Sequence, residues 1–161
     1  MKIGVVADTH SKALPKQMID DFLQVELIVH AGDFCSLDIL ERFKTIKQVK
    51  AVHGNMDEYA IKKFLPRRQI FKSGAFTIGV YHGEGAPDQV LDKVKEEFKT
   101  EKVDAVIFGH SHRPFNEVVD HVLYFNPGSP NDTIFAPYCS YGILDLSGPR
   151  IQGQIIKVKE K

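Results

Sequence analysis

The chain has 161 residues, 43% of them hydrophobic and 26% charged, and its formal net charge is zero. That length supports one domain, residues 1–161, with a core that needs neither disulfides nor a structural metal. The charge balance argues against a broad basic surface for nucleic acid or anionic membrane, and runs such as "IGVVA" and "AVIFG" are too short to span a bilayer.

The opening "MKIGVVADTH" meets Asp8 and His10 too early for a signal peptide. Cys35 and Cys139 are the two cysteines and read as small reduced core residues, so the expected location is the cytoplasm. "KIGVVAD" is a nearly continuous apolar run, which fits a strand covered on both faces. Leu14, Met18, Ile19, Phe22 and Leu23 recur at helical spacing, and Pro15 suits a first turn. "ELIVHAGD" reads as a second buried strand. "SLDILERF" follows as a helix with Ser36 as its N-cap.

"KAVHGN" is a third short strand, after which Asp57–Arg68 reads as a loop. "RQIFKSGAFTIGVYHG" gives two strands around Ser73-Gly74. Asp88–Lys99 is an amphipathic helix with Val90, Leu91, Val94 and Phe98 inward. "VDAVIFGH" is another buried strand. "NEVVDHVLYFNPGS" and "SYGILDLSGPRIQGQIIKVK" read as hairpins turning near Asp120-His121 and Ser147-Gly148-Pro149. A β-α-β-α-β start with a largely β ending implies an α/β layered domain with a mixed sheet or two stacked sheets.

Five strands end alike. Asp8 and His10 follow the first, Asp33 the second, Asn55 and Asp57 the third, His82 the strand ending "GVYHG", and His110 and His112 the strand "VDAVIFGH". Each ending taken singly reads as a turn, a cap or a buried histidine. Together they gather oxygen and nitrogen donors outside the carboxyl ends of strands, where layered α/β proteins build their sites. With Asp57 left out as a supporting residue, two aspartates, one asparagine and four histidines, with no thiolate, suit Mn, Fe, Co, Ni or Zn better than an all-oxygen Mg or Ca cage. Seven donors exceed the needs of one ion. A pair of ions roughly 3.5–4 Å apart accommodates them, because a carboxylate can bridge.

The order Asp-x-His, Gly-Asp, Gly-Asn-x-Asp, His, Gly-His-x-His resembles that of the calcineurin-like metallophosphoesterases, especially their small single-domain bacterial and archaeal phosphodiesterases. "NPGS" at Asn126–Ser129 resembles that branch too. The resemblance implies a four-layer α-β-β-α sandwich with two mixed sheets. It further implies two divalent transition-metal ions, Mn foremost. Asp8, His10, Asp33 and His112 would hold one; Asp33, Asn55, His82 and His110 the other. His110 and His112, two apart on an extended segment, would point the same way, with small Ser111 leaving room for a phosphate. The activity implied is hydrolysis of a small phosphorylated substrate, a diester before a monoester, by in-line attack of metal-activated hydroxide.

Many larger members carry a histidine after Gly-Asn that serves the leaving group; here that position is Met56, so a dedicated acid is not evident. Asp57 is expected to orient a ligand histidine, and Arg113 to border the phosphate. His53 reads as rim, His30 as structural and His121 as solvated. Two other functions follow from the same fold: a non-catalytic protein-binding scaffold, as in the retromer subunit of this superfamily, whose metal site is degraded, and a nuclease. The complete histidine set speaks against the first. The lack of a basic stripe speaks against the second and against nucleic-acid or membrane partners. Exposed hydrophobics such as Phe64, Leu65 and Phe135 could build a homodimer contact or merely cap the core.

Overall fold

The computed structural model describes residues 1–159; residues 160 and 161 of the expected unit lie outside the described residues. Strands β1 (Lys2–Val6), β2 (Leu27–His30) and β3 (Val49–Ala51) pair in parallel, and β9 (Ser140–Asp145) and β10 (Gln152–Lys157) extend their sheet in the order β10-β9-β1-β2-β3. A second sheet runs β4 (Arg68–Ser73), β5 (Phe76–Tyr81), β6 (Ala105–Ile107), β8 (Val122–Asn126), β7 (Phe115–Val119). Its inner strands β5, β6 and β8 are parallel, and both outer pairs are antiparallel.

The continuous apolar runs of β1 and β2 follow from burial on both faces. Ile3, Val5 and Ala7 with Leu27, Val29 and Ala31 share a core with Ile78, Val80, Ile107 and Phe125 of the opposite sheet. Val6 and Ile28, on the other face, pack against Met18 and Phe22 of helix α1 (Lys16–Phe22), Ile39, Leu40 and Phe43 of α2 (Leu37–Ile46) and Ile61 of α3 (Tyr59–Phe64). Helix α4 (Val90–Phe98) covers the second sheet through Val90, Val94 and Phe98. The layers are therefore α-β-β-α with two mixed sheets, as the family resemblance implies.

Register carries this architecture to the site. Val6 pairs with His30, and His30 with Ala51, so β1, β2 and β3 end side by side. Val80, Ile107 and Phe125 are similarly aligned across β5, β6 and β8. Loops leave both sheets at these carboxyl ends.

Local details differ from the sequence reading. Helix α1 begins at Lys16, with Pro15 outside it in extended conformation. Ser36 stands at the N-cap of α2 but makes no capping bond; its Oγ accepts instead from Ser11 Oγ at 3.0 Å. Helix α3 occupies part of Asp57–Arg68, which the sequence reads as loop. Ile61 is its one buried residue, so it shows no periodic stripe. Cys35 and Cys139 are half-buried thiols. Among the described residues, no helix is long and apolar enough to cross a membrane.

Candidate metal centre

The seven donors converge where the two sheets meet. Asp8, His10, Asp33 and Asn55 come from loops after β1, β2 and β3; His82, His110 and His112 come from loops after β5 and β6. Backbone bonds lock these loops together. Asp8 N–H donates to Gly32 O, His10 N–H to Asp33 O, and Gly109 N–H to His82 O, each at 3.0 Å.

At the centre lies Asp8. Its Oδ2 accepts from His110 N–H at 3.0 Å, whereas its buried Oδ1 has no hydrogen-bond partner among the described residues. Around Oδ1 stand His112 Nε2 at 3.4 Å and the Nε2 atoms of His10 and His82, each at 3.8 Å. Asp33 Oδ2 is 3.3 Å from His82 Nε2 and 3.7 Å from His10 Nε2. Asn55 Oδ1 is 3.1 Å from both His82 Nε2 and His110 Nδ1.

One donor atom each from Asp8, His10 and His112 lies within 4.8 Å of the others, and the same holds for Asp8, Asp33 and His82. Asp8 is thus common to both triples, where the resemblance has Asp33 shared. Asn55 and His110 complete the second triple on its outer side through Asn55 Oδ1. Nitrogen and carboxylate atoms packed this closely around an orphaned oxygen fit a divalent cation, since an unsatisfied buried carboxylate oxygen is otherwise costly.

His110 and His112 are not presented by strand alternation. Both have positive φ, 69° and 55°, in a tight loop beyond β6, and they turn to different partners. His110 faces Asn55 through Nδ1 and bonds Gly85 O through Nε2 at 2.8 Å. Asp8, His10 and Asp33 also lie at positive φ. Left-handed backbone at non-glycine residues concentrates at functional sites, where the surroundings must hold it. Ser111 Oγ is likewise engaged, accepting from Asn126 Nδ2 at 3.0 Å and Arg113 N–H at 3.3 Å.

The supports differ from those expected. Asp57 contacts no ligand histidine. It accepts backbone N–H groups from Asp33 (3.0 Å), Cys35 (2.8 Å) and Gly54 (2.7 Å), fastening two donor loops together. Met56, largely exposed, contributes its backbone N–H to Asp33 Oδ1 at 2.8 Å. The "NPGS" segment joins in, because Ser129 Oγ donates to Asp8 O at 2.8 Å and Asn126 Nδ2 to Gly109 O at 3.0 Å. Asp132, which sequence reading passes over within a turn-like "NPGSPND", is buried and meets His112 Nδ1 at 2.5 Å through Oδ2.

His30 is buried, stacked on Phe34 with ring centroids 3.5 Å apart; its Nδ1 accepts from Gly32 N–H at 3.1 Å. Arg113 is exposed. His53, half-buried, helps line a cavity of about 220 Å3 with Lys62, Arg67, Tyr81 and Glu84, and this cavity opens beside Asn55 and His82.

The electrostatics favour a cation. Burial pushes the Asp8 and Asp33 carboxyls up, but their histidine neighbours outweigh it and hold both below the usual carboxylate range. Burial pulls His82 and His112 down, yet facing carboxylates (Asp33 and Asp8 for His82; Asp8 and Asp132 for His112) raise each to about 9. Ionised carboxylates that attract protons onto His82 and His112 would attract metal ions equally.

Residues 1–148 match the calcineurin-like phosphoesterase superfamily domain. The chain is 36% identical to a probable metallophosphoesterase of Methanothermobacter thermautotrophicus, covering 98% of this chain and 92% of that protein. It is 32% identical to a phosphodiesterase of Methanocaldococcus jannaschii, over 80% and 83% of the two chains. The zinc-complexed structure of Vps29 from Entamoeba histolytica superimposes with a TM-score of 0.73 over 99% of this chain and all of that one; at 22% identity this is a likeness of fold.

Proposed function

The chain belongs to the calcineurin-like phosphoesterase superfamily, and on that premise we propose that it is a two-cation phosphodiesterase acting on a small phosphorylated substrate. The observation that carries this reading is the buried Asp8 Oδ1, with three histidine nitrogens 3.4 to 3.8 Å away and no hydrogen-bond partner among the described residues.

Asp8, His10, Asp33 and His112 would hold one divalent cation and Asp33, Asn55, His82 and His110 the other, with Asp8 close to both groups; the mixed oxygen and nitrogen donors suit Mn, which the resemblance puts first, and equally Ni, Fe, Co or Zn. Bound cations supply Lewis acidity, lowering the pKa of water and neutralising charge on phosphoryl oxygens. The chain's own residues do the positioning. His82 donates Nδ1–H to Ala31 O at 2.7 Å, which leaves its Nε2 lone pair for the centre. Asp57 keeps the Asp33 and Asn55 loops in register. The cavity lined by Lys62, Arg67 and Tyr81 offers donors to one arm of a diester.

With an exposed thioether at Met56, no side chain there protonates the departing oxygen. Esters with acidic leaving groups should therefore turn over fastest. A series of methyl phosphodiesters with leaving groups of graded pKa tests this, and rates independent of leaving-group pKa would contradict it. The scaffold and nuclease alternatives lack comparable support, since all four histidines are in place and the net charge is zero.

A further inference from the structure

His112 and Asp132 are 20 residues apart in sequence and 2.5 Å apart in space, Nδ1 to Oδ2. The carboxylate is held from its far side. Asp132 Oδ1 accepts the N–H groups of Ile134 at 2.9 Å and Phe135 at 3.1 Å. The Asp132 N–H donates to Ser129 Oγ at 3.1 Å, and Ser129 Oγ donates to Asp8 O at 2.8 Å. A continuous chain of hydrogen bonds thus runs from the Asp8 backbone through Ser129 and Asp132 to the imidazole.

The other ring nitrogen of His112, Nε2, faces the centre, 3.4 Å from Asp8 Oδ1 and 3.1 Å from His10 Nε2. An ionised carboxylate can only accept, so Nδ1 must carry the hydrogen. In the neutral ring the lone pair is then on Nε2, which faces Asp8 Oδ1 and His10 Nε2.

We propose that Asp132 is a positioning residue: it fixes the tautomer and orientation of His112 and thereby makes Nε2 a cation ligand. This rests on the two-cation reading above. Partners of this kind typically contribute about 10- to 100-fold to metal affinity.

Asp132→Asn separates this role from that of the turn. The side chains are isosteric. The single amide oxygen would stay with the Ile134 and Phe135 N–H groups, which keeps the turn but places the amide NH2 against His112 Nδ1. An NH2 can only donate, so the neutral ring would be driven to the Nε2–H tautomer and lose its inward lone pair.

The test titrates metal-free wild type and Asp132→Asn with Co2+ by calorimetry. Urea unfolding of both metal-free proteins is measured alongside, with the imidazole N–H proton spectrum of the Zn2+-loaded forms. The expected result is two binding steps in wild type and, in the variant, one step weakened about 10- to 100-fold while the other persists. Metal-free unfolding should fall only by the loss of the charged Asp132–His112 contact, and a far-downfield Nδ1–H resonance present in wild type should vanish. Unchanged titration and spectrum would overturn the proposal and leave Asp132 a turn residue. So would equal weakening of both steps with a parallel loss of metal-free stability. A wild type that takes up no Co2+ would instead refute the two-cation reading itself, and this proposal with it.

Discussion

Gly54 lies so close to Asp33 that a methyl group on it would fall 2.1 Å from Asp33 Oδ1 and 2.7 Å from the Asp33 backbone nitrogen. The loop after β3 is thus pressed directly onto the loop after β2, and the two cannot separate without moving a carboxylate at the heart of the site.

Gly54→Ala should therefore act chiefly on the centre. Overpacking of this kind costs roughly 1–3 kcal/mol of stability, and the displaced Asp33 carboxylate should weaken cation binding by an order of magnitude or more, as loss of a supporting contact typically does. Calorimetric titration beside urea unfolding reads both quantities. Wild-type affinity in a destabilised variant would mean that the Asp33 position is not critical.

Asp57 fastens the same two loops by accepting three backbone N–H groups while itself only 4% exposed. Asp57→Ala strands all three donors, each worth about 1–3 kcal/mol when buried without a partner. A loss of about 3 kcal/mol or more is expected in denaturant titrations, with a smaller loss for Asp57→Asn. A loss below about 1 kcal/mol would show that water replaces the carboxylate freely.

His30 supplies a pH signature of the fold. Burial lowers it from its ordinary 6.5 to about 3, against the smaller opposing pull of the site carboxylates. The unfolded chain therefore binds a proton below pH 6.5 that the native state refuses. Stability from this residue is complete above about 6.5 and falls as the pH drops toward 3. Between pH 8 and pH 5 the group should remove about 2 kcal/mol, from 1.36 kcal/mol per pH unit below 6.5. His30→Asn does not titrate, so the stability difference between wild type and variant should move against wild type by that amount. Parallel pH profiles for the two proteins would contradict this account.

Met56 offers a gain-of-function test. Its side chain is 59% exposed, so Met56→His should fold normally. A histidine there would supply the acid that the chain lacks, a contribution typically about 10²- to 10⁴-fold when well placed. The expected outcome is faster turnover of alkyl-leaving-group diesters, with nitrophenyl diesters little changed. An equal effect on both would remove leaving-group protonation from the explanation.

Much of this was legible because strand burial writes a simple pattern. Apolar runs such as "KIGVV" and "LIVH" announce strands covered on both faces, and the donors that follow them fall at loop starts where a site can form. The geometry within those loops was not legible. His110 and His112 look like neighbours on an extended segment, yet positive φ at both sends them to different partners. Asp57 looks like a histidine partner but binds backbone, a choice made by loop packing across 24 residues. Asp132 carries no local mark beyond a turn, because its partner His112 is brought to it only by the pairing of β6 with β8. Helix α3 was missed because a single buried residue, Ile61, leaves no period to read.

The central claim is that Asp8, Asp33 and the four histidines bind cations that drive phosphodiester hydrolysis. Its most direct test is hydrolysis of bis-p-nitrophenyl phosphate beside p-nitrophenyl phosphate by chelator-stripped protein reloaded with Mn, Ni, Zn or Mg, with bound metal counted per chain. Asp33→Asn/His110→Ala serves as the control. The account predicts close to two ions per chain, diester cleavage restored by a transition metal, and loss of both in the double variant. A wild type that binds no metal, or that cleaves the diester equally well when stripped, would contradict it.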